Sequence, residues 1–329
     1  MSENIVKVEN LKKWFEVRMG FFSSLFSRKR LFVKAVDGIS FEIKKQEIFG
    51  LAGESGSGKT TTGRVILRLI EPTSGKVFFR DKEITTLSES EFRPFRRKMQ
   101  IIFQDPYESL NPRMTIFDTV AEPLRVQKMA MDEKEVEEKV YKVLEDVELM
   151  PPEEFMFRYP HELSGGQRQR VAIARALVVN PEFIVADEPV SMLDASIRAE
   201  ILNLMIELMK KRGVSFLYIT HDLALARHIC DKMAIMYLGK IMEKGTVEQV
   251  IYEPLHPYTR ALMDAVPNPD PDAKRIEVVI KGEIPSPINP PSGCRFSTRC
   301  PERKDICTKE EPQLVNMSKD HFVACHLYR

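Results

Sequence analysis

The octapeptide GESGSGKT at residues 53–60 constrains this chain more than any other stretch. It fits G-x-x-x-x-G-K-[ST], a loop whose backbone N–H groups close on phosphate oxygens. An apolar run, EIFGLA at 47–52, precedes it and reads as a buried central strand, and a helix over about 59–69 follows. That strand–loop–helix setting is the one the motif requires. Close approach of backbone to an anion leaves no place for Cβ atoms, and Gly53, Gly56 and Gly58 remove them. Glu54, Ser55 and Ser57 fill the other loop positions, and Thr61 continues into the helix. Lys59 offers a point charge to the β- and γ-phosphates, Thr60 a hydroxyl to Mg²⁺, and the helix N-terminus a favourable partial charge.

Around this loop the chain alternates. Residues 1–15 read as a strand through Ile5, Val6 and Val8 that runs into Trp14 and Phe15. Ile39, Phe41 and Ile43 alternate as a half-buried antiparallel strand, and MQIIF at 99–103 reads as another buried one. From about 105 to 180 the character is helical: Val136, Val140, Val143, Leu144 and Val147 recur at helical spacing after Asp132, with Glu135 placed as a capping-box partner. FIVAD at 183–187, a helix over about 196–212, VSFLYIT at 214–220, a helix near 223–229 and MAIMY at 233–237 complete the rhythm. The fold class is therefore α/β, a mostly parallel sheet with helices on both faces. Residues 18–32, aromatic and basic without a clean period, look like an insertion: a partly ordered loop or a membrane-dipping segment. After about 252 prolines crowd from Pro267 to Pro291 and the rhythm stops, so a boundary is placed near Tyr252.

Two further stretches carry chemistry. FIVADE at 183–188 delivers Asp187 from the end of a strand, where an acid can hold Mg²⁺ through water, and Glu188 beside it can act as base toward an attacking water. In LSGGQRQR at 163–170, Ser164 is a good N-cap, Gly165 and Gly166 let backbone approach an anion, and Gln167 lies in the first turn of an amphipathic helix. The chain thus contains a second helix start suited to phosphate.

Composition narrows the setting. Hydrophobic residues at 43% and charged ones at 29% supply a sizeable core without staples. A net charge of +1 sets up no global field toward nucleic acid or anionic lipid, and the basic stretches at 28–30 and 96–98 read as solvated faces. No apolar run reaches the roughly 18 residues of a membrane span, and MSENIVKVEN lacks the apolar stretch of a secretion signal. The chain is read as cytosolic, where cysteines serve as free thiols or metal ligands.

With these motifs the sequence resembles the ATPase subunits of ABC transporters over nearly its whole length. The resemblance implies a P-loop NTPase cassette at 1–252, with a mostly parallel sheet, an antiparallel β subdomain and a helical subdomain at about 105–180, followed by a C-terminal domain at 253–329. It implies that Phe15, with Trp14 as the alternative, stacks on adenine. Gln104 in IIFQDP becomes the Q-loop glutamine that senses Mg²⁺ and water and abuts a transmembrane partner. Residues 191–194, SMLD, become the D-loop with Asp194, and His221 in YITHD the switch histidine at the γ-phosphate. It further implies a head-to-tail dimer in which ATP lies between residues 53–60 of one subunit and Ser164, Gly165, Gly166 and Gln167 of the other.

HPYTRALMDAVP at 256–267 and GEIPSPINPPSGCRFSTRCP at 282–301 resemble the C-terminal extension of oligopeptide and dipeptide importer ATPases, a subfamily in which the 18–32 insertion also recurs. His256 and Pro257 read as a helix start, with proline in the first turn. Cys294, Cys300, Cys307 and Cys325 follow C-x5-C-x6-C-x17-C, without the C-x-x-C pair of a zinc ribbon. Four thiolates in a proline-rich segment with little core point to a metal cross-link. Relatives carry a [4Fe–4S] cluster at matching cysteines; zinc and unligated thiols are the other readings. Cys230 reads as a core residue at a helix end.

The function implied is the motor of an importer for peptides or related solutes such as oligosaccharides, with ATP and Mg²⁺ as its small molecules. Its partners would be two permease subunits, a second ATPase subunit (a paralogue or an identical chain) and, through the permeases, an extracytoplasmic solute-binding protein. Its place would be peripheral, on the cytoplasmic face of the cell membrane. The alternative, a soluble ABC ATPase acting on nucleic acid or ribosomes, usually brings two cassettes or long coiled coils, and this chain has one cassette and no basic excess. A non-catalytic regulatory module is disfavoured by intact Gln104, Glu188 and His221.

Overall fold

Alternating apolar residues become strands, and apolar residues at helical spacing become helices, where the sequence places them. A computed structural model describes residues 3–17, 30–130, 132–266, 282–283, 285–288 and 290–328. In chain order the strands are β1 (Asn4–Glu16), β2 (Phe32–Lys44), β3 (Ile48–Ala52), β4 (Ser74–Phe79), β5 (Lys82–Glu83), β6 (Met99–Ile102), β7 (Phe183–Asp187), β8 (Ser215–Thr220), β9 (Lys232–Tyr237), β10 (Lys240–Thr246), β11 (Val315–Ser318) and β12 (His321–Val323). The helices are α1 (Lys59–Ile66), α2 (Glu89–Arg96), α3 (Pro106–Ser109), α4 (Ile116–Gln127), α5 (Glu133–Asp146), α6 (Pro152–Met156), α7 (Gly165–Leu177), α8 (Ala195–Arg212), α9 (Leu223–Ile229), α10 (Val247–Tyr252) and α11 (Pro257–Asp264). Of the insertion at 18–32, residues 18–29 lie outside the described residues.

The chain divides into two compact units. The first comprises Met1–Ile5, Ile43–Ile48 and Thr86–Tyr218. In it β6, β7 and β8 lie side by side, with β6 and β7 parallel from Met99 opposite Phe183 to Ile102 opposite Ala186. Every residue of β7 is buried, as its continuous apolar run requires. Helix α7 packs on β6, α3, α4, α5 and α8. Val136, Val140, Val143 and Leu144 on α5 are all buried, each contributing about 1.5–3 kcal/mol. Asp132 caps α5 by accepting the Glu135 amide at 2.8 Å, while the Glu135 carboxylate pairs with Lys139 one turn on.

The second unit comprises Val6–Glu42, Phe49–Thr85 and Ile219–Arg329. Its four-stranded sheet runs β2-β1-β4-β5, with β1 antiparallel to β4 and β4 to β5. Ile39, Phe41 and Ile43 are buried along β2. A second set of strands begins with β3 parallel to β9 and continues antiparallel through β10, β12 and β11. Strands therefore reappear beyond residue 252, where the sequence shows no rhythm. VNMS and HFV are too short to display a period, and they are held by pairing to β10 through Glu243 opposite Val323. Cys230 closes α9 and is buried, with its sulfur 2.9 Å from where a Cβ on Gly50 would stand. That contact keeps residue 50 a glycine.

Asp146, at the end of α5, takes Lys211 and Arg212 from the end of α8. Burial pushes its carboxyl upward, but hydrogen bonds from Lys211 and Arg212 outweigh that and hold it below the usual carboxylate range. The stabilisation is therefore complete above the ordinary carboxylate pKa and disappears as pH falls through the depressed one. Asp146→Ala is expected to cost about 1–3 kcal/mol of stability at neutral pH and much less in acid below the depressed pKa. Denaturant titrations at the two pH values check this, and an equal loss at both would contradict it.

Candidate functional site

In the second unit the phosphate-type loop leaves β3 and closes on itself. Gly53 has φ 145 and Gly58 φ 105. A Cβ on Gly53 would stand 2.2 Å from the Met236 carbonyl oxygen, and one on Gly58 2.0 Å from that of Ala35. These two glycines are thus demanded by the chain's own backbone rather than by an approaching anion. At Gly56 a Cβ would meet open space. Lys59 opens α1 and is buried; its Nζ donates to the Gly53 carbonyl at 2.7 Å, the Glu54 carbonyl at 3.0 Å and Ser57 Oγ at 3.4 Å. Ser55 is exposed on the loop, and Thr60 and Thr61 stand half-buried in the first turn of α1.

Beside the loop stands an arrangement that sequence reasoning missed. The Glu54 amide donates to Tyr258 Oη at 2.9 Å, and Tyr258 is fully buried on α11. His256 caps α11, its Nδ1 accepting the Tyr258 amide at 3.0 Å. Burial, with Arg260 adding to it, pushes the His256 imidazole down to about 3, which keeps it the neutral acceptor that the cap needs. The wholly buried Glu243 carboxylate accepts the Leu255 and His256 amides at 2.9 Å each and meets His321 Nε2 at 2.8 Å. Phe296 packs among Tyr237, His256 and Tyr258. The HPY triplet at 256–258 was the sequence signal. Nothing in the chain told which loop the tyrosine would reach.

The two aromatic candidates differ in freedom. The Trp14 indole N–H donates to Asp37 Oδ1 at 3.0 Å, and Lys34 Nζ lies over the ring at 4.5 Å. Phe15 is 39% exposed, with Lys13 Nζ 4.9 Å from its ring centre. His221 is exposed just after β8, and Asp222 caps α9 by accepting the Leu225 amide at 3.1 Å.

In the first unit, Gln104 Nε2 donates to Glu188 Oε2 at 3.2 Å. Glu188 follows buried Asp187 with φ 46, a left-handed backbone that a non-glycine residue rarely adopts. Its carbonyl accepts the Ser191 amide at 3.2 Å and Ser191 Oγ at 3.0 Å, which locks the turn. Ser164 caps α7 in a full capping box: Ser164 Oγ accepts the Gln167 amide at 3.3 Å, and Gln167 Oε1 accepts the Ser164 amide at 3.0 Å. A Cβ on Gly166 would stand 2.7 Å from Ile197 of α8, whereas one on Gly165 would touch only Leu193 at 3.4 Å. Asp194, at the start of α8, is exposed, as is Met192.

The four C-terminal cysteines form one group in the second unit. Cys294, Cys307 and Cys325 are buried and Cys300 half-buried. Each sulfur accepts a backbone amide: Cys294 from Phe296, Cys300 from Glu302, Cys325 from Leu327, and Cys307 from Lys304 at 3.4 Å. Burial, with the charges of the other thiols adding to it, pushes Cys294 up to about 12 and Cys300 to about 11. Such a group needs a cation before it can ionise together. Among the described residues no three His, Cys, Asp or Glu side chains gather tightly enough to hold a single metal ion. No helix of the described residues is long and apolar enough to cross a membrane.

Residues 36–191 match the ABC transporter family model, and residues 242–307 match that of the oligopeptide/dipeptide transporter C-terminal region. The putative oligopeptide transport ATP-binding protein YkfD of Bacillus subtilis is 52% identical over 92% of this chain and 92% of its own. The oligopeptide transport ATP-binding protein AppF of the same organism is 49% identical over 99% of this chain and 98% of its own. Among solved structures, the dimeric post-hydrolysis state of the ATP-binding cassette MJ0796, bound to ADP and Pi, matches with a TM-score of 0.63. It is 31% identical and covers 74% of this chain and 98% of that one. CbiO1 from Clostridium perfringens matches with a TM-score of 0.64 at 28% identity, over 77% and 92%. The chain belongs to the ABC transporter ATP-binding proteins, in the branch with the oligopeptide/dipeptide transporter C-terminal region.

Proposed function

We propose that this chain is the ATP-hydrolysing motor subunit of a peptide importer. The observation that carries hydrolysis is Glu188, held at a left-handed turn after β7 with its carboxylate hydrogen-bonded to Gln104. A carboxylate fixed in this way can take a proton from water as that water attacks the γ-phosphate. Lys59 leaves its loop carbonyls for the β- and γ-phosphates, and the loop amides other than those of Glu54 and Ser57, which are already hydrogen-bonded, turn toward phosphate oxygens. Thr60, Gln104 and Asp187 are the residues suited to hold Mg²⁺, which supplies charge neutralisation on the phosphates when bound. Phe15 stacks on adenine, a role supported by its exposure and by the ties that hold Trp14 elsewhere. His221 addresses the γ-phosphate. Ser164, Gly165, Gly166 and Gln167 of a second subunit, with Asp194 nearby, close over the nucleotide from the other side.

The partners are two permease subunits, a second ATPase subunit (paralogue or identical chain) and, through the permeases, an extracytoplasmic solute-binding protein. Exposed Phe103, Tyr107, Phe157 and Tyr159 on the first unit support a permease-facing surface, and the cytoplasmic face of the membrane is the place we propose for the chain. Within the chain, residues 1–252 act as the cassette and 253–329 as its C-terminal module. Peptides are the favoured cargo class, in keeping with the C-terminal region that residues 242–307 match.

For the cysteine group we propose a [4Fe–4S] cluster, with zinc as the other reading. A four-iron cluster would give each of the four thiolates its own iron, whereas zinc would take all four on one ion. Four amide N–H groups on the sulfurs suit thiolate ligands. Bound there, the cluster would cross-link the proline-rich module.

Glu188→Gln is expected to lower ATP turnover by about 10²–10⁴-fold while ATP binding stays near wild type; turnover within a few-fold of wild type would sink the assignment of the base. Purified without oxygen, the protein should be brown and carry about four irons per chain. A colourless preparation with one zinc, or with no metal, would remove the cluster.

A further inference from the structure

In the second unit one side chain ties the cysteine segment to the phosphate loop. Arg299, the residue before Cys300, places Nη1 2.8 Å from Glu54 Oε2 and Nη2 3.2 Å from Glu54 Oε1. The pair is bidentate, and its members are 245 positions apart in sequence. Nη1 also lies 3.4 Å from Tyr237 Oη. The segment carrying Arg299 is itself anchored: Arg295 and Asp37, both buried, pair at 2.5 Å, and Phe296 packs on Tyr237 and Tyr258.

Glu54 follows Gly53 directly, and its backbone is held from both ends. Its N–H donates to Tyr258 Oη, and its carbonyl accepts from Lys59 Nζ. Its carboxylate is therefore a negative charge fixed to a loop read as the seat of a polyanion. Left unpaired, it would repel triphosphate at close range and compete for Lys59. Arg299 occupies both of its oxygens.

We propose that Arg299 is a positioning residue for nucleotide binding, which holds and neutralises the Glu54 carboxylate and so makes ATP affinity depend on the packing of the cysteine segment. The proposal rests on residues 53–60 being the phosphate site of ATP. It differs from a purely structural role in one respect. If Arg299 matters because Glu54 is charged, removing that charge must cure the loss of Arg299.

The test is the ATP dissociation constant, with KM and kcat, for the whole protein and for Arg299→Ala, Arg299→Lys, Glu54→Gln and the Arg299→Ala/Glu54→Gln double variant, together with the melting temperature of each without nucleotide. Arg299→Ala is expected to weaken ATP binding about tenfold and to raise KM with little change in kcat. Glu54→Gln sets the reference for a loop without that charge, and the double variant should bind ATP as Glu54→Gln alone does, whatever that value is. Arg299→Lys, which keeps the charge but loses the fork, should lie between, and it replaces Arg299→Ala if that variant fails to fold. An Arg299→Ala change that weakens binding as much beside Glu54→Gln as it does alone, or an Arg299→Ala variant that binds ATP like wild type, overturns the proposal. A wild-type protein that binds no ATP overturns the nucleotide reading instead.

Discussion

The Lys59 ammonium, buried and held by oxygens of its own loop, is the interaction on which the account turns. A buried charge is tolerated only when it is hydrogen-bonded, and the Gly53 and Glu54 carbonyls with Ser57 Oγ provide that. The same bonds keep the loop curled around the place where phosphate belongs. Its curvature is enforced from outside, since Gly53 and Gly58 lie too close to the Met236 and Ala35 carbonyls to carry any side chain. An incoming phosphate therefore replaces carbonyl dipoles with full negative charge around a cation already in position, which is the economy of a preorganised site.

What holds the loop is partly far along the chain. Glu243, buried on β10, fixes the amides that begin α11, and α11 brings Tyr258 to the Glu54 amide. The cysteine segment adds Arg295 on Asp37, which also takes the Trp14 indole, and Arg299 on Glu54. Two arginines, each beside a cysteine, thus reach the aromatic segment and the phosphate loop. On the coupling proposed above, loosening the cysteine group would free both, and its state and the nucleotide's hold would be linked within one unit.

Local order was largely legible in the sequence. The buried runs at β3, β7 and β9 and the apolar period of α5 lie where their patterns put them, because each is fixed by neighbours within a turn or a strand. The two glycine-rich turns were likewise plain. Three things were not. Strands β11 and β12 are too short to show a period and exist by pairing to β10. The left-handed backbone at Glu188 has no glycine to announce it; it is held by the Ser191 contacts and the end of β7. The Glu54–Arg299 and Glu54–Tyr258 contacts join residues more than two hundred positions apart, and no local pattern encodes a partner at that distance.

The central claim is that nucleotide is gripped by the loop of one chain and residues 164–167 of another. It is tested most directly by ATP turnover per chain over a wide range of chain concentration, in wild type and in Gly165→Trp. Gly165 suits the test because a Cβ there would touch only Leu193, at 3.4 Å, within its own chain, and the melting temperature of the variant shows whether the fold is kept. The account predicts that turnover per chain falls away on dilution and that Gly165→Trp abolishes it at every concentration. Turnover per chain that is constant on dilution and indifferent to the tryptophan would contradict it.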